Sequence, residues 1–196
     1  MNLLIAITGA SGSIYGLRIV EEFLRSGGRV TLTASDSGIE VCSFETGINL
    51  SSDSAEFLKS RWNLPEAGLT IRKPTDFWAP EASGSSVPDA MIVSPCSMGT
   101  LGRIASGISG NLIERAADVM LKEGKPLLLL PRETPLSSIH LENMLKLSRA
   151  GARIIPAMPA FYQKPESVND MVDFVVGKVL DQVGVKHNLF KRWGEQ

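Results

Sequence analysis

The sequence predicts an α/β fold, a doubly wound parallel sheet with helices on both faces, formed as a single domain over residues 1–196. Three observations predict it. Apolar, β-branched runs recur at residues 3–7, 30–34, 90–93, 127–130 and 153–155, with helical patterns between most of them. Those runs are apolar on both faces of the strand, as in a parallel sheet covered on each side by helices. A chain of 196 residues is the length of one ordinary domain with a substantial core. Such a sheet binds ligands beyond the carboxyl ends of its strands, so the residues that follow each run are the candidates for function.

The first run enters Thr8-Gly9-Ala10-Ser11-Gly12-Ser13, whose glycines allow a tight turn into a helix. Free N–H groups and the helix dipole attract phosphate there, with Ser11 and Ser13 as added hydroxyl donors. The pattern is neither GxGxxG nor GxxxxGK[ST], so a plain packing turn is an equal reading. Ile14, Leu17, Val20 and Leu24 keep helical spacing, and Gly27-Gly28 ends that helix. The second run ends at Ser35-Asp36, where the acid suits the ribose of a dinucleotide and Ser35 suits a mononucleotide phosphate.

Residues 51–88 break the rhythm and are expected to hold a helix, a short strand near 69–72 and a mobile loop carrying Phe77 and Trp78. The third rim segment, Ser94-Pro95-Cys96-Ser97-Met98-Gly99-Thr100, offers small donors to a planar polar ring; its ordinary reading is a helix capped by Ser97. Cys96 has no adjacent activating partner and is expected to be a buried residue rather than a nucleophile.

Asn111, Arg115, Asp118 and Lys122 are spaced by four, three and four along one helical face. The ordinary reading is a solvated stripe in which Asp118 and Lys122 pair. The alternative joins Arg115 and Lys122 to Arg132 and Glu133, which follow the fourth run in PRETP, in one cationic pocket for a phosphate ester and its departing phosphate. Met158, Pro159, Phe161 and Tyr162 follow the fifth run and supply apolar walls and a phenol. Ser167 and Asp170 form a capping-box start to the last helix, whose apolar face is Met171, Val172, Val175, Val179 and Val183.

Composition excludes several classes. With 20 Lys and Arg against 21 Asp and Glu, the formal charge is -1, and no global field recruits nucleic acid or an anionic membrane. Two cysteines and two histidines supply neither a disulfide framework nor a zinc cluster, and no DDxxD-like magnesium cluster occurs, so metal independence is expected. The N-terminal apolar run reads as a strand rather than a signal peptide, and no run approaches the roughly 18 apolar residues of a membrane span. A soluble, cytoplasmic protein is expected. A mean hydropathy of +0.07 favours a homo-oligomer that buries surface between subunits.

ITGASGSIYGLR, ASGSS, SPCSMGTL, NLIERAADVMLKEGKPLLLLPRETPLSSIHLENMLKL, PAMPAFYQKPESV, DFVVGKVLD and the final RWGEQ strongly resemble the UbiX-type flavin prenyltransferases over nearly the whole chain. The resemblance implies a Rossmann-like, flavodoxin-related fold and a homo-oligomer, typically a dodecamer, with tail residues 184–196 packing on a neighbouring subunit. It implies that a dimethylallyl group passes from dimethylallyl phosphate to N5 and C6 of reduced FMN. The prenylated FMN then goes to UbiD-type decarboxylases, as in ubiquinone biosynthesis. Gly9, Ala10, Ser11, Ser35, Ser97, Met98, Gly99, Thr100 and Arg132 fall where the family holds FMN.

Arg115, Lys122, Arg132 and Tyr162 fall where it holds the prenyl phosphate, partly across subunit boundaries. Glu133 matches the carboxylate assigned to acid–base work at that phosphate, and Glu45 a second acid near the flavin, so Glu133, Lys122, Glu45 and Ser11 are the catalytic candidates. Lys178 stands where the family often has arginine, keeping the charge without the bidentate fork. Phe77, where some members of the family have tryptophan, falls where an aromatic flanks the prenyl group, and its neighbour Trp78 is the alternative ring for that place.

Three rivals remain at this level. A flavin-dependent decarboxylase of cysteine-like substrates relies on an active-site histidine, and here none precedes His140. A nicotinamide-dependent oxidoreductase would use Asp36, but the glycine pattern differs. An FMN-binding accessory subunit of a decarboxylase would need none of Lys122, Arg132 and Glu133.

Overall fold

Six parallel strands form the sheet of this computed structural model, which describes residues 1–51 and 53–194. They are β1 (Asn2–Ile7), β2 (Arg29–Ala34), β3 (Gly68–Arg72), β4 (Ala90–Cys96), β5 (Leu127–Pro131) and β6 (Arg153–Ile154), in the order β3-β2-β1-β4-β5-β6. The strand order reverses between β1 and β4, which places a crevice beyond their carboxyl ends.

Alternation along β1 builds two cores from one strand, because successive side chains point to opposite faces. Leu3, Ile5 and Ile7 face α1 (Ser13–Arg25) and α7 (Val168–Gln182), meeting Leu17, Val20, Val175 and Val179. Leu4 and Ala6 face the other way, toward α4 (Met98–Ala105), α5 (Leu112–Lys122) and α6 (Ser138–Arg149), where Leu101, Ile113, Met120 and Leu147 enclose them. Each fully enclosed leucine or isoleucine contributes about 1.5–3 kcal/mol of transfer free energy. The register carries both cores across the sheet, with Ile5 beside Leu32 and Ile92, and Ile92 beside Leu128.

Several boundaries differ from the sequence expectation. A helix the sequence did not announce, α2 (Asp36–Thr46), follows β2; within it only Gly38 and Cys42 are buried, so it carries no apolar stripe to read. The third run continues as strand through Cys96, which starts the rim at Ser97. Val183 caps α7 instead of extending its face, while the Ser167–Asp170 capping box forms as expected.

Residues 51–88 hold α3 (Ser54–Arg61), β3 and two short 3-10 turns at Pro80–Ala82 and Gly84–Ser86. These turns cover the sheet face near β2, where buried Glu81 accepts a hydrogen bond from the Thr31 hydroxyl at 2.7 Å. The described part of the C-terminal tail folds back on α7 of its own chain, with Val185, Leu189 and Phe190 against the first core. Glu195 and Gln196 of that tail lie outside the described residues.

Candidate active site

The crevice is fastened by a residue that the sequence reading passed over. Thr8, the first residue after β1, is fully buried; its hydroxyl donates to the Pro95 carbonyl at 2.9 Å and accepts from the Ser97 amide at 2.8 Å. One side chain therefore ties the end of β1 to the end of β4 and starts both ligand-facing loops. Gly16, one turn into α1, allows that helix to lie against β4, since a Cβ there would stand 2.2 Å from the Ser94 carbonyl oxygen.

The amides at the start of α1 are engaged inside the chain. Glu45, near the end of α2, accepts from Gly12 N–H at 3.0 Å and from Ser13 N–H at 2.9 Å, and the Ser11 hydroxyl also donates to it. Partial burial pushes its carboxyl up, but the hydrogen bonds from Ser11, Ser13 and Gly12 outweigh burial and hold it below the usual carboxylate range. Of the N–H groups this turn is expected to offer a phosphate, those of Gly12 and Ser13 are taken by an internal carboxylate at the positive end of α1. Arg132 closes the same corner by donating its Nε to the Ser11 carbonyl at 3.2 Å. Ser11, Glu45 and Arg132, distant in sequence, are thus in contact.

Two further helix starts face the crevice. Ser35 caps α2, accepting from Gly38 N–H at 3.1 Å, and its hydroxyl is 3.3 Å from that of Ser37. Gly9 passes so close to α2 that a Cβ would stand 2.3 Å from Ser37 Oγ, which adds Ser37 to the rim. Asp36 is exposed in the first turn of α2. Ser97 caps α4 as the sequence suggested; its hydroxyl donates to Thr100 Oγ1 at 3.1 Å and accepts from Thr100 N–H at 3.3 Å. Behind this cap Arg103 bonds the fully buried carboxylate of Glu114, which also accepts from Gly110 N–H at 2.8 Å. Ala10 is buried, Met98 packs against the second core, and Gly99 is exposed on the rim.

The PRETP segment exits β5 with its two charged residues separated. Arg132 reaches back to Ser11, whereas Glu133 accepts from Thr134 N–H at 3.0 Å. Both are exposed beside a cavity of about 300 Å³ whose other walls include Leu136, Met144, Pro156 and Met158. Tyr162 follows in the next loop, with its ring 5.8 Å from that of Phe174. Lys178 lies exposed one turn beyond Phe174 on α7.

Arg115 and Lys122 do not join this group within one chain. Arg115 donates to the Ala82 carbonyl at 3.1 Å and pairs with Asp118 at 3.0 Å. Lys122 pairs with Glu123, so the expected Asp118–Lys122 pair is replaced on both sides. Lys122 ends α5 before β5 begins, and Arg132 lies after β5 ends; a five-residue strand separates them by roughly 16 Å. Asn111 caps α5 through Glu114 N–H and does not belong to the stripe. Phe77 is half exposed and Trp78 almost fully exposed, both in the loop before the 3-10 turns.

The thiols are buried. Burial pushes Cys96 up to about 12 against the opposing pull of Arg103, and burial likewise raises Cys42. Both histidines are also committed elsewhere: His140 completes the capping box of α6 with Ser137, and His187 is held by Asp181 at 3.2 Å. A histidine-dependent decarboxylase chemistry finds no candidate among them.

The Flavoprotein family model matches residues 1–180. The chain is 50% identical over 98% of its length to a protein of Halalkalibacterium halodurans named flavin prenyltransferase UbiX, 93% of which is covered. A protein of the same name from Pseudomonas aeruginosa is 47% identical over the whole chain and 95% of its own length. Among solved structures, AnUbiX (PadA1) in complex with FMN and dimethylallyl pyrophosphate superposes with a TM-score of 0.89 at 39% identity, covering 98% of this chain and 97% of that one. The dodecameric FMN-dependent Ubix-like decarboxylase from Escherichia coli O157:H7 gives 0.87 at 42% identity, covering 98% and 99%.

Proposed function

The chain belongs to the Flavoprotein family and, within it, to the UbiX-type flavin prenyltransferases, and on that premise we propose that it joins the dimethylallyl group of dimethylallyl phosphate to N5 and C6 of reduced FMN. The observation that carries the reading is the meeting of Ser11, Glu45 and Arg132 at the β1/β4 crevice, with Glu133 next to Arg132 in the wall of the adjoining cavity. The donor set fits a flavin mononucleotide. Glu45 already fills the start of α1, so the phosphate falls to Ser35 and Ser37 at the start of α2, and the ring to Ser97 through Thr100. When bound, reduced FMN supplies the electron-rich atoms that accept the allylic carbon.

This chain's residues do the rest. Breaking the allylic C–O bond leaves charge on the phosphate, which cations must hold and an acid must protonate. Arg132, Lys178 and the Tyr162 hydroxyl hold the phosphate, and Glu133 delivers a proton to its departing oxygen. Ser11, bonded to the ionised Glu45, is placed to take a proton from the flavin side and pass it to the carboxylate. Phe77 flanks the prenyl chain.

Arg115 and Lys122 act on the phosphate bound by a neighbouring copy: within one chain Lys122 lies at the far end of β5 and Arg115 is bonded to the Ala82 carbonyl and Asp118. Exposed Phe44, Trp78, Ile139 and Phe161 support the required assembly, for which we infer a homododecamer. The outer face of the described tail, residues 184–194, is assigned to a subunit contact. The product is passed to a UbiD-type decarboxylase in the cytoplasm; no helix among the described residues is long and apolar enough to cross a membrane.

The direct test is anaerobic incubation with reduced FMN and either dimethylallyl phosphate or the pyrophosphate, followed by the mass of the flavin. A mass gain matching one prenyl group supports transfer, and an unchanged mass in protein shown to bind FMN refutes it. Glu133→Gln is expected to slow transfer about 10²-fold or more with FMN binding intact.

A further inference from the structure

Tyr162 lies in a stretch, residues 155–167, without helix or strand, so its position must come from packing. Two aromatic edges provide it. Phe174 of α7 stands 5.8 Å away with the rings at 90°, and Trp193 of the C-terminal tail stands 5.0 Å away at 81°. The adjacent Gln163 donates its side-chain amide to the Lys191 carbonyl at 2.7 Å, so loop and tail are stitched at neighbouring residues.

The tail is itself anchored on α7. Arg192 donates to both carboxylate oxygens of Asp181, at 2.8 and 3.2 Å, and Phe190 packs 5.1 Å from Phe174. Gly177 makes room for it: a Cβ there would stand 2.5 Å from ring atoms of both His187 and Phe190. Glycine inside a helix is otherwise unfavourable, so its place in α7 suits the docking of the tail. Trp193 is 78% exposed and adds little to any core; the aromatic contact it makes is with Tyr162.

We propose that the tail segment 187–193 positions the substrate-binding phenol, with Trp193 holding the Tyr162 ring edge-on so that its hydroxyl is already oriented for the prenyl phosphate. The inference rests on the assignment of Tyr162 to that phosphate. A preset ring avoids ordering a loop side chain at each binding event, and this lowers KM without touching the chemical step. Trp193 is a positioning residue: it acts through Tyr162.

The test is steady-state prenylation in the full-length protein, with dimethylallyl phosphate varied at saturating reduced FMN. Trp193→Ala is expected to raise KM for dimethylallyl phosphate about three- to tenfold, the range of one aromatic edge contact, with kcat within twofold and FMN affinity unchanged. Trp193→Phe is expected to recover most of the loss, and Gly177→Ala, whose Cβ would meet His187 and Phe190, to shift KM in the same direction by lifting the tail.

A KM within twofold of the parent in Trp193→Ala, or a parallel loss of FMN affinity, overturns the proposal. Tyr162→Phe separates the two levels. If it raises KM while Trp193→Ala does not, the tail has no positioning effect although the phenol does bind phosphate. If neither raises KM, the assignment of Tyr162 itself falls, and the tail proposal with it.

Discussion

Replacing Thr8 with valine keeps the shape of the side chain and removes only its hydroxyl. In the folded protein that hydroxyl donates to the Pro95 carbonyl and accepts from the Ser97 amide in a fully buried position. The Pro95 carbonyl retains the Thr8 amide at 3.2 Å, so its loss is partial. The Ser97 N–H is left without this partner, which costs about 1–3 kcal/mol, and the lost bond to Pro95 adds about 0.5–1 kcal/mol. A total near 2.5 kcal/mol is expected.

With an unfolding entropy of about 2.1 cal/mol/K per residue, 196 residues give about 0.4 kcal/mol/K and a fall in Tm of about 6 °C. Thermal and urea unfolding of the parent, Thr8→Val and Thr8→Ser measure this directly. Because the same bond starts the Ser97–Thr100 loop, FMN affinity is expected to fall in Thr8→Val and to persist in Thr8→Ser. A Tm within 1 °C of the parent in Thr8→Val, or an equal drop in Thr8→Ser, would refute the reasoning.

Three other perturbations have defined outcomes. Glu45 has a folded value held below its ordinary 4.5, so its contribution to stability is complete above about 4.5 and disappears as the pH falls through the folded value. The urea midpoints of the parent and Glu45→Gln are therefore expected to converge between pH 6 and pH 3, and a constant gap would contradict the assignment. Gly16→Ala sets helix propensity, which favours alanine by about 1 kcal/mol, against a Cβ 2.2 Å from the Ser94 carbonyl. Overpacking, about 1–3 kcal/mol, is expected to win with a net loss of up to about 2 kcal/mol, and any gain in stability would show that α1 does not lie so close to β4. Both thiols are expected to resist an aromatic disulfide reagent at pH 8 in the native protein and to react fully in denaturant; rapid native labelling of Cys96 would contradict its burial.

Local chemistry made much of the fold legible. The apolar runs placed five of the six strands because burial on both faces leaves a period and a composition in the chain itself. Ser97 and the Ser167–Asp170 box were readable as caps for the same reason: a helix start satisfies its amides with residues three positions away. The residue types on the rim, and their resemblance to one family, named the chemistry before any distance was known. Helix α2 was not legible, since Gly38 and Cys42 are the residues it buries and they leave no apolar stripe.

The sequence by itself determined the layered sheet, the caps and which loops reach the crevice, all of which depend on residues close together along the chain. The tertiary structure alone decided the pairings across long separations. Thr8 meets Ser97 across 89 residues, Glu45 meets Gly12 across 33, and Arg132 meets Ser11 across 121. It also put Lys122 away from Arg132, although they lie ten residues apart, because β5 carries the chain from one end of the sheet to the other. Periodicity records which side of an element is buried; what it is buried against follows only from how the strands are ordered and the helices laid upon them.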